Sequence, residues 1–300
     1  MTKRHYSFPY AGIDVGEACL RVNFHTHAGV CRLGKCGILP LEDVSAAYAA
    51  ARYDTLAVSN HDMYLPREDD YALPLLDAVE YSATPHMLQI GVTEYRELPH
   101  QEAIDFTREQ GGFVILCHPN WDVPGYRCAE YDALLETLDG YTGLEIINPV
   151  IYRLSGSGLA LDTWDSLLTR GKRVFGFGSD DFHLWQDMAR AWNMIYAEST
   201  DYTDIKEAVE AGRFYVSTGL ALKECTLTDG ILRVTAGWFT ESYVTRFSYK
   251  FTGGNGRLLA EVDAGSAEFT LPEGESYVRV EVTGENGAKL YLQPVWNDGR

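Results

Sequence analysis

The sequence predicts a parallel α/β fold, either an open sheet or a closed barrel, followed by a smaller all-β module. Three observations lead there. From about residue 20 to 220, short apolar runs alternate with amphipathic stretches of helical period. Histidines and carboxylates recur just past the ends of those runs. After about residue 220 the helical period disappears and short alternating segments separated by Gly-rich turns take over.

The apolar runs are Leu20–Phe24, Thr55–Ser59, Met87–Val92, Phe113–Cys117, Gly143–Ile147 and Arg173–Phe177, each of strand length. Between them lie the helical stretches Leu41–Arg52, Gln101–Gln110, Ala129–Leu138, Asp162–Arg170 and Tyr202–Ala211. Pro40 followed closely by Glu42 and Asp43 marks a helix start, since proline fits the first turn and acids favour the positive end of the helix dipole. The C-terminal segments Ile231–Thr235, Ser248–Phe251 and Tyr277–Val282 alternate apolar and polar residues, as half-buried strands do. The expected division is a domain over 1–220 and a β-sandwich-like module over 221–300.

A chain of 300 residues can bury a large core. Its formal charge of −18 excludes a long, sequence-independent grip on nucleic acid, which needs a Lys/Arg stripe. It leaves open a small phosphorylated substrate, because bound divalent cations reverse the local field. No apolar run is long enough for a transmembrane helix, and no apolar stretch follows the basic N-terminus. The six cysteines form no CxxC pair, which fits reduced thiols in a cytoplasmic protein. The oligomeric state is not legible.

In a parallel α/β fold the C-terminal strand ends converge on one face. His25 and His27 follow the first run, His61 the second, Glu94 the third and His118 the fourth; Glu145 lies late in the fifth, and Asp181 and His183 follow the sixth. Imidazoles and carboxylates gathered on one face suit divalent Mn, Zn or Fe. Singly, each has an ordinary reading as a satisfied polar group or a surface residue, and His5, His86 and His100 receive that reading here. The joint pattern favours a metal. Cations for phosphate are sought near the strand ends, with Arg153 first and Lys35 and Arg190 after it; ion pairing at the surface is the alternative for each. Trp121 and Trp185 flank His118 and His183 and either wall a pocket, stack on a base or pack in the core.

His25-Thr26-His27, Ser59-Asn60-His61, Gly91-Val92-Thr93-Glu94, His118-Pro119 and the segment Gly178–His183 occur in an order that resembles the PHP family, the polymerase and histidinol phosphatase domain. The resemblance covers roughly residues 18 to 220. It implies a distorted (β/α)7 TIM-like barrel holding two or three divalent metals and hydrolysing phosphate esters. The segment Ala211–Gly219 with the β-rich tail is similar to bacterial members with a C-terminal β module. By position, His25, His27, Glu94 and Asp181 hold the first metal. Glu94 bridges to a second, which His118 and Glu145 also approach, while His61 and His183 face a third. The implied chemistry is attack of a metal-bound hydroxide on a small phosphomonoester or nucleotide, with Glu94, Asp181 and His183 as the catalytic residues.

The chain departs from the family pattern twice. The Ser-Asp-Gly that often follows the first histidine pair is absent from the segment 28–37, and the usual Thr-Asp-His reads Ser59-Asn60-His61. Both changes touch the third site. Cys31 and Cys36 are weak candidates for replacement thiolates. Two other functions stay open: hydrolysis of a non-phosphate bond, and a metal-stabilised binding module with a weakened site.

Overall fold

A computed structural model describes residues 5–29, 37–66, 70–122, 134–239 and 246–299. Its strands are β1 (Tyr6–Ser7), β2 (Leu20–Asn23), β3 (Thr55–Val58), β4 (Leu75–Tyr81), β5 (Met87–Ile90), β6 (Phe113–Leu116), β7 (Gly143–Ile147), β8 (Phe175–Gly178), β9 (Trp192–Ile195) and β10 (Phe214–Ser217). The C-terminal strands are β11 (Leu220–Thr228), β12 (Ile231–Trp238), β13 (Phe247–Gly253), β14 (Arg257–Ala264), β15 (Ala267–Thr270), β16 (Tyr277–Thr283), β17 (Lys289–Leu292) and β18 (Val295–Asn297).

The expected (β/α)7 barrel does not form. Fifteen strands join one mixed sheet, with the path β1-β18-β16-β17-β10-β9-β2-β3-β4-β5-β6-β7-β8 and the β13–β14 pair attached through β16. Strands β2, β3 and β4 run parallel, as do β6, β7 and β8, but β5 is antiparallel to both its neighbours. The cause is local. Only Ser82–His86 separate β4 from β5, and a parallel crossover needs a dozen or more residues. On the other side, β9 pairs antiparallel with β2 and with β10.

The helices Leu41–Ala50, His100–Glu109, Leu161–Thr169 and Tyr202–Glu210 lie where helical periodicity places them. Part of the expected Ala129–Leu138 helix lies outside the described residues. No described helix is long and apolar enough to cross a membrane. Strands β4, β9 and β10 are absent from the runs expected between residues 20 and 220.

The sheet curls until β8 lies against β9. There the Asn193 side chain, rather than a backbone ladder, joins them: Gly178 N donates to Asn193 Oδ1 at 3.0 Å, and Asn193 Nδ2 donates to Gly178 O at 2.8 Å. A Cβ on Gly178 would meet Val216 Cγ1 at 2.5 Å, so the close approach at this seam needs glycine.

Among the described residues from 220 onward, strands joined by turns and one 3-10 turn at Gly254–Gly256 replace the α-helices, as the alternation indicates. Strands β11, β12 and β15 form a three-stranded sheet, while β16, β17 and β18 extend the large one through the β10–β17 ladder. One apolar cluster spans both regions, joining Tyr48, Leu56 and Phe182 to Leu222, Val234, Tyr249 and Val282. Beneath it, Arg279 on β16 pairs with buried Asp165 of the helix Leu161–Thr169, Nε to Oδ1 at 2.8 Å and Nη2 to Oδ2 at 2.5 Å. The Tyr277 hydroxyl donates to Asp165 Oδ1 at 2.9 Å.

Candidate metal centre

The parallel strands β2, β3, β4, β6, β7 and β8 deliver their C-terminal ends to one face. His25 and His27 follow β2, His61 follows β3, Glu80 closes β4, His118 follows β6, and Asp181 and His183 follow β8. Because β5 is reversed, its N-terminal end reaches the same face and presents His86. Six imidazoles and two carboxylates thus meet. His25, His27, Glu80, His118 and Asp181 are buried, while His61, His86 and His183 keep 19, 13 and 22% of their side chains exposed and form the mouth.

Glu80 is central. Its Oε2 lies 3.4 Å from His25 Nε2, 3.2 Å from His27 Nε2 and 2.7 Å from His61 Nδ1. Its Oε1 lies 2.9 Å from His86 Nδ1 and 3.6 Å from His118 Nε2. Asp181 Oδ1 approaches His25 Nε2, His27 Nε2 and His183 Nδ1 at 3.3, 3.5 and 3.3 Å. Among the described residues, the triads His25/His27/Asp181, His27/His61/His183 and His61/Glu80/His86 each bring ligand atoms within 4.8 Å of one another, and each could hold a metal ion. Cys117 joins two further groups with His25, Glu145, Glu80 and His118. Burial and the nearby carboxylates raise its thiol pKa well above normal, so in the metal-free chain it stays protonated.

The charges explain how so many titratable groups share one space. Burial alone would raise the Glu80 pKa, but His61, His25 and His86 outweigh it and hold the carboxyl well below its usual range. Asp181 is lowered likewise, against its burial, by His25 and His27. Burial would depress His61, yet Glu80 raises it to about 9; His25 is raised well above normal by Asp181, Glu145 and Glu80 despite burial. Burial and neighbouring His27 push His183 down to about 4, and burial lowers His86.

The surrounding residues hold this arrangement in place. His25 Nδ1 meets Glu145 Oε1 at 2.7 Å, which turns Nε2 toward the cluster. Glu145 Oε2 accepts from His118 N and from Asn148 Nδ2, each at 2.8 Å. Both Glu145 oxygens are therefore engaged, and with His25 and Cys117 Glu145 also forms one of the groups whose atoms lie close enough to hold an ion. Asn60 donates to Ala28 O and accepts from Ala28 N, pinning the chain just past His27. The Asn60 amide thus serves the backbone at this strand end. Buried Asp180 accepts from Tyr48, Tyr53 and the backbone N–H groups of Ala189, Arg190 and Ala191. Its neighbour Asp181 is thereby held at a φ of +47°, and His118 stands at +26°; such strained backbone collects at functional sites.

Several expected site residues lie elsewhere. Glu94 is 54% exposed and paired with Arg96, Nε to Oε1 at 2.8 Å. It follows the C-terminal end of the one reversed strand, so the parallel rule that selected it fails there. Arg153 makes a two-pronged pair with Asp187, both contacts at 3.0 Å. Asp187 in turn accepts from His183 N and Leu184 N, so Arg153 braces the His183 loop. Arg190 is exposed, and its guanidinium reaches Gln186 O at 3.4 Å. Lys35, Cys31 and Cys36 lie outside the described residues. Trp121 walls the site, its ring 5.1 Å from His118 and 6.0 Å from His86, whereas Trp185 is 48% exposed and rests its edge on Phe182.

The site passes a test of metal fit that does not depend on any resemblance. His25 Nε2 and both ring nitrogens of His27 are buried and make no hydrogen bond, and they face the Glu80 and Asp181 carboxylates. Leaving a buried polar atom unsatisfied costs about 1–3 kcal/mol, so three in one place call for a partner from outside the chain. Borderline nitrogen donors beside carboxylate oxygens match a divalent transition ion. Comparison with protein-family models finds none that matches this chain, and comparison with curated proteins finds no match.

Proposed function

We propose that the protein is a metal-dependent hydrolase of small phosphate esters. The observation that carries this reading is the convergence of His25 Nε2 and the two His27 nitrogens, buried and without hydrogen bonds, on the Glu80 and Asp181 carboxylates at the strand ends. His25, His27 and Asp181 would hold one ion, and Glu80 would reach a second with His61 and His86. The resemblance to the PHP family supports phosphorus as the target, with Glu80 in the role that the sequence assigned to Glu94.

Divalent ions bound here would acidify a water and take up charge on phosphoryl oxygens. The chain does the rest. Glu145 and Asn148 hold His25 and Asp181, since Asn148 Nδ2 also donates to Asp181 Oδ2 at 3.1 Å. His183 Nδ1 is engaged by Asp181 O at 2.8 Å, which leaves Nε2 as the ring acceptor. Burial keeps that imidazole neutral, so Nε2 can accept a hydrogen bond at the mouth. Trp121 and the buried floor limit water on the inner side.

The test combines elemental analysis with a screen of phosphomonoesters and nucleotides in added Mn²⁺. About two ions per chain and release of phosphate are expected, as a two-ion centre requires. Fewer than one ion per chain with no phosphate released would reject the proposal. Release of acid from carboxylic esters or amides alone would redirect it to a non-phosphate bond.

A further inference from the structure

A cavity of about 640 Å³ adjoins the cluster on the His61 side. Asp62, Tyr81, Ser82, Tyr95, Glu97 and Leu98 are among the residues that line it. Ser82 connects it to the metal centre, since its Oγ lies 2.7 Å from His61 Nδ1. Asp62 follows His61 directly, stands at a φ of +51°, and accepts from Ser82 N at 2.9 Å. The Tyr81 hydroxyl is turned away to Leu98 O at 2.5 Å, and the Tyr81 and Tyr95 rings stand 6.2 Å apart.

The charge balance of this cavity is one-sided. Among the described residues neither Asp62 nor Glu97 has an ion-pair partner, and the nearby Arg96 is committed to Glu94 and to the face of Phe106. Two carboxylates and the half-buried Tyr95 ring around one cavity, with no cation among its lining residues, complement an organic ammonium group: the carboxylates supply charge and the Tyr95 face supplies cation–π attraction, while buried Tyr81 closes the wall.

We propose that this cavity binds a cationic organic group, an ammonium or alkylated ammonium, carried by the substrate on the side away from the bond that is cleaved. The assignment of that group to a substrate rests on the proposed hydrolase function; the binding itself does not. The cavity holds the ammonium head between Tyr81, Tyr95, Asp62 and Glu97 while the reacting end lies at His61 and His183.

The experiment titrates tetramethylammonium and ethanolammonium into the full chain without added metal, following the tyrosine resonances by NMR. Controls are the neutral isostere 3,3-dimethylbutanol and the polyol glycerol. Saturable binding of the cations is expected, weaker by about tenfold or more in Asp62→Asn and in Glu97→Gln, with no saturable binding of either neutral probe. Exposed Glu97 makes no described hydrogen bond or ion pair, so Glu97→Gln keeps the fold and remains informative if Asp62→Asn does not. Equal binding of the neutral isostere, preferred binding of glycerol, or cation binding indifferent to both variants would each overturn the proposal. The two proposals fail separately. Cation binding in a chain that takes up no metal would sink only the hydrolase reading. Phosphate release with no preference for phosphocholine or phosphoethanolamine over neutral 3,3-dimethylbutyl phosphate would sink only this one.

Discussion

Two places in the molecule bury charge, and they are built in opposite ways. Where β16 meets the helix Leu161–Thr169, Asp165, Arg279 and Tyr277 close on one another, and the Asp165 carboxylate is matched by a two-pronged guanidinium and a hydroxyl. At the strand ends around Glu80, carboxylates and imidazoles lie 2.7 to 3.6 Å apart, yet His25 Nε2 and both His27 nitrogens make no hydrogen bond. The first set is complete in itself and joins two parts of the fold. The second is held rigidly by Glu145, Asn148 and Asp180 but left open at its centre. Buried polar groups are normally satisfied, so the contrast separates a structural ion pair from a site prepared for something the chain does not supply.

The sharpest way to break this comparison is to remove Glu80. Glu80→Ala should lower activity about a thousandfold, the scale of several kcal/mol of lost charge stabilisation, and should strip metal from the chain while a folded core remains by circular dichroism. Truncating the structural pair should do the reverse. Asp165→Ala is expected to cost about 3–5 kcal/mol in denaturant unfolding, because it strands Arg279 in the interior, yet to leave metal content per folded chain unchanged. A joint Asp165→Leu and Arg279→Met exchange should recover most of that loss. Loss of metal in Asp165→Ala would show the two regions to be coupled.

Asp187→Asn probes the support of the open site from outside. It weakens the clamp on His183 N, Leu184 N and Arg153, and metal affinity should fall about tenfold to a hundredfold, measured by competition with a chelator. An affinity unchanged within twofold would remove that loop from the centre.

The protonation of the open site gives a further test. His61 is raised to about 9 and His25 well above normal. The stability these protonated imidazoles lend the metal-free chain is complete below the usual histidine pKa of about 6.5 and is lost as pH rises through about 9. A metal must displace those protons, so its affinity should rise across the same window, with at least one proton released per ion near neutral pH. Calorimetric titration in two buffers of different ionisation enthalpy reads that release. Binding without proton release would contradict the arrangement around Glu80.

Much of this site was legible because six of its eight groups are found by a single rule. His25, His27, His61, His118, Asp181 and His183 each follow the C-terminal end of a strand that runs parallel to at least one neighbour. The rule failed where one strand is reversed. Glu94, past the end of β5, lies in solvent, and His86, ahead of its start, enters the cluster; neither sign could be read without the pairing of β4 and β5. Glu80 was hidden for a different reason. Asp77 and Glu80 interrupt the apolar texture of Leu75–Tyr81, so the run does not register as a core strand, though its length and its Ala78-Val79 centre are the signal that could have found it. The helices and the β-rich tail followed from periodicity. The closure of β8 on β9 did not, since it hangs on one asparagine side chain.

Glu80 and Glu94 are the two carboxylates whose roles in holding the metal can be set against each other directly. Metal content after dialysis, measured by mass spectrometry for the wild-type chain, Glu80→Gln and Glu94→Gln, decides between them. About two ions in the wild type, essentially none in Glu80→Gln and the full complement in Glu94→Gln are predicted. A Glu80→Gln chain that keeps its metal, or a Glu94→Gln chain that loses it, would contradict the central claim.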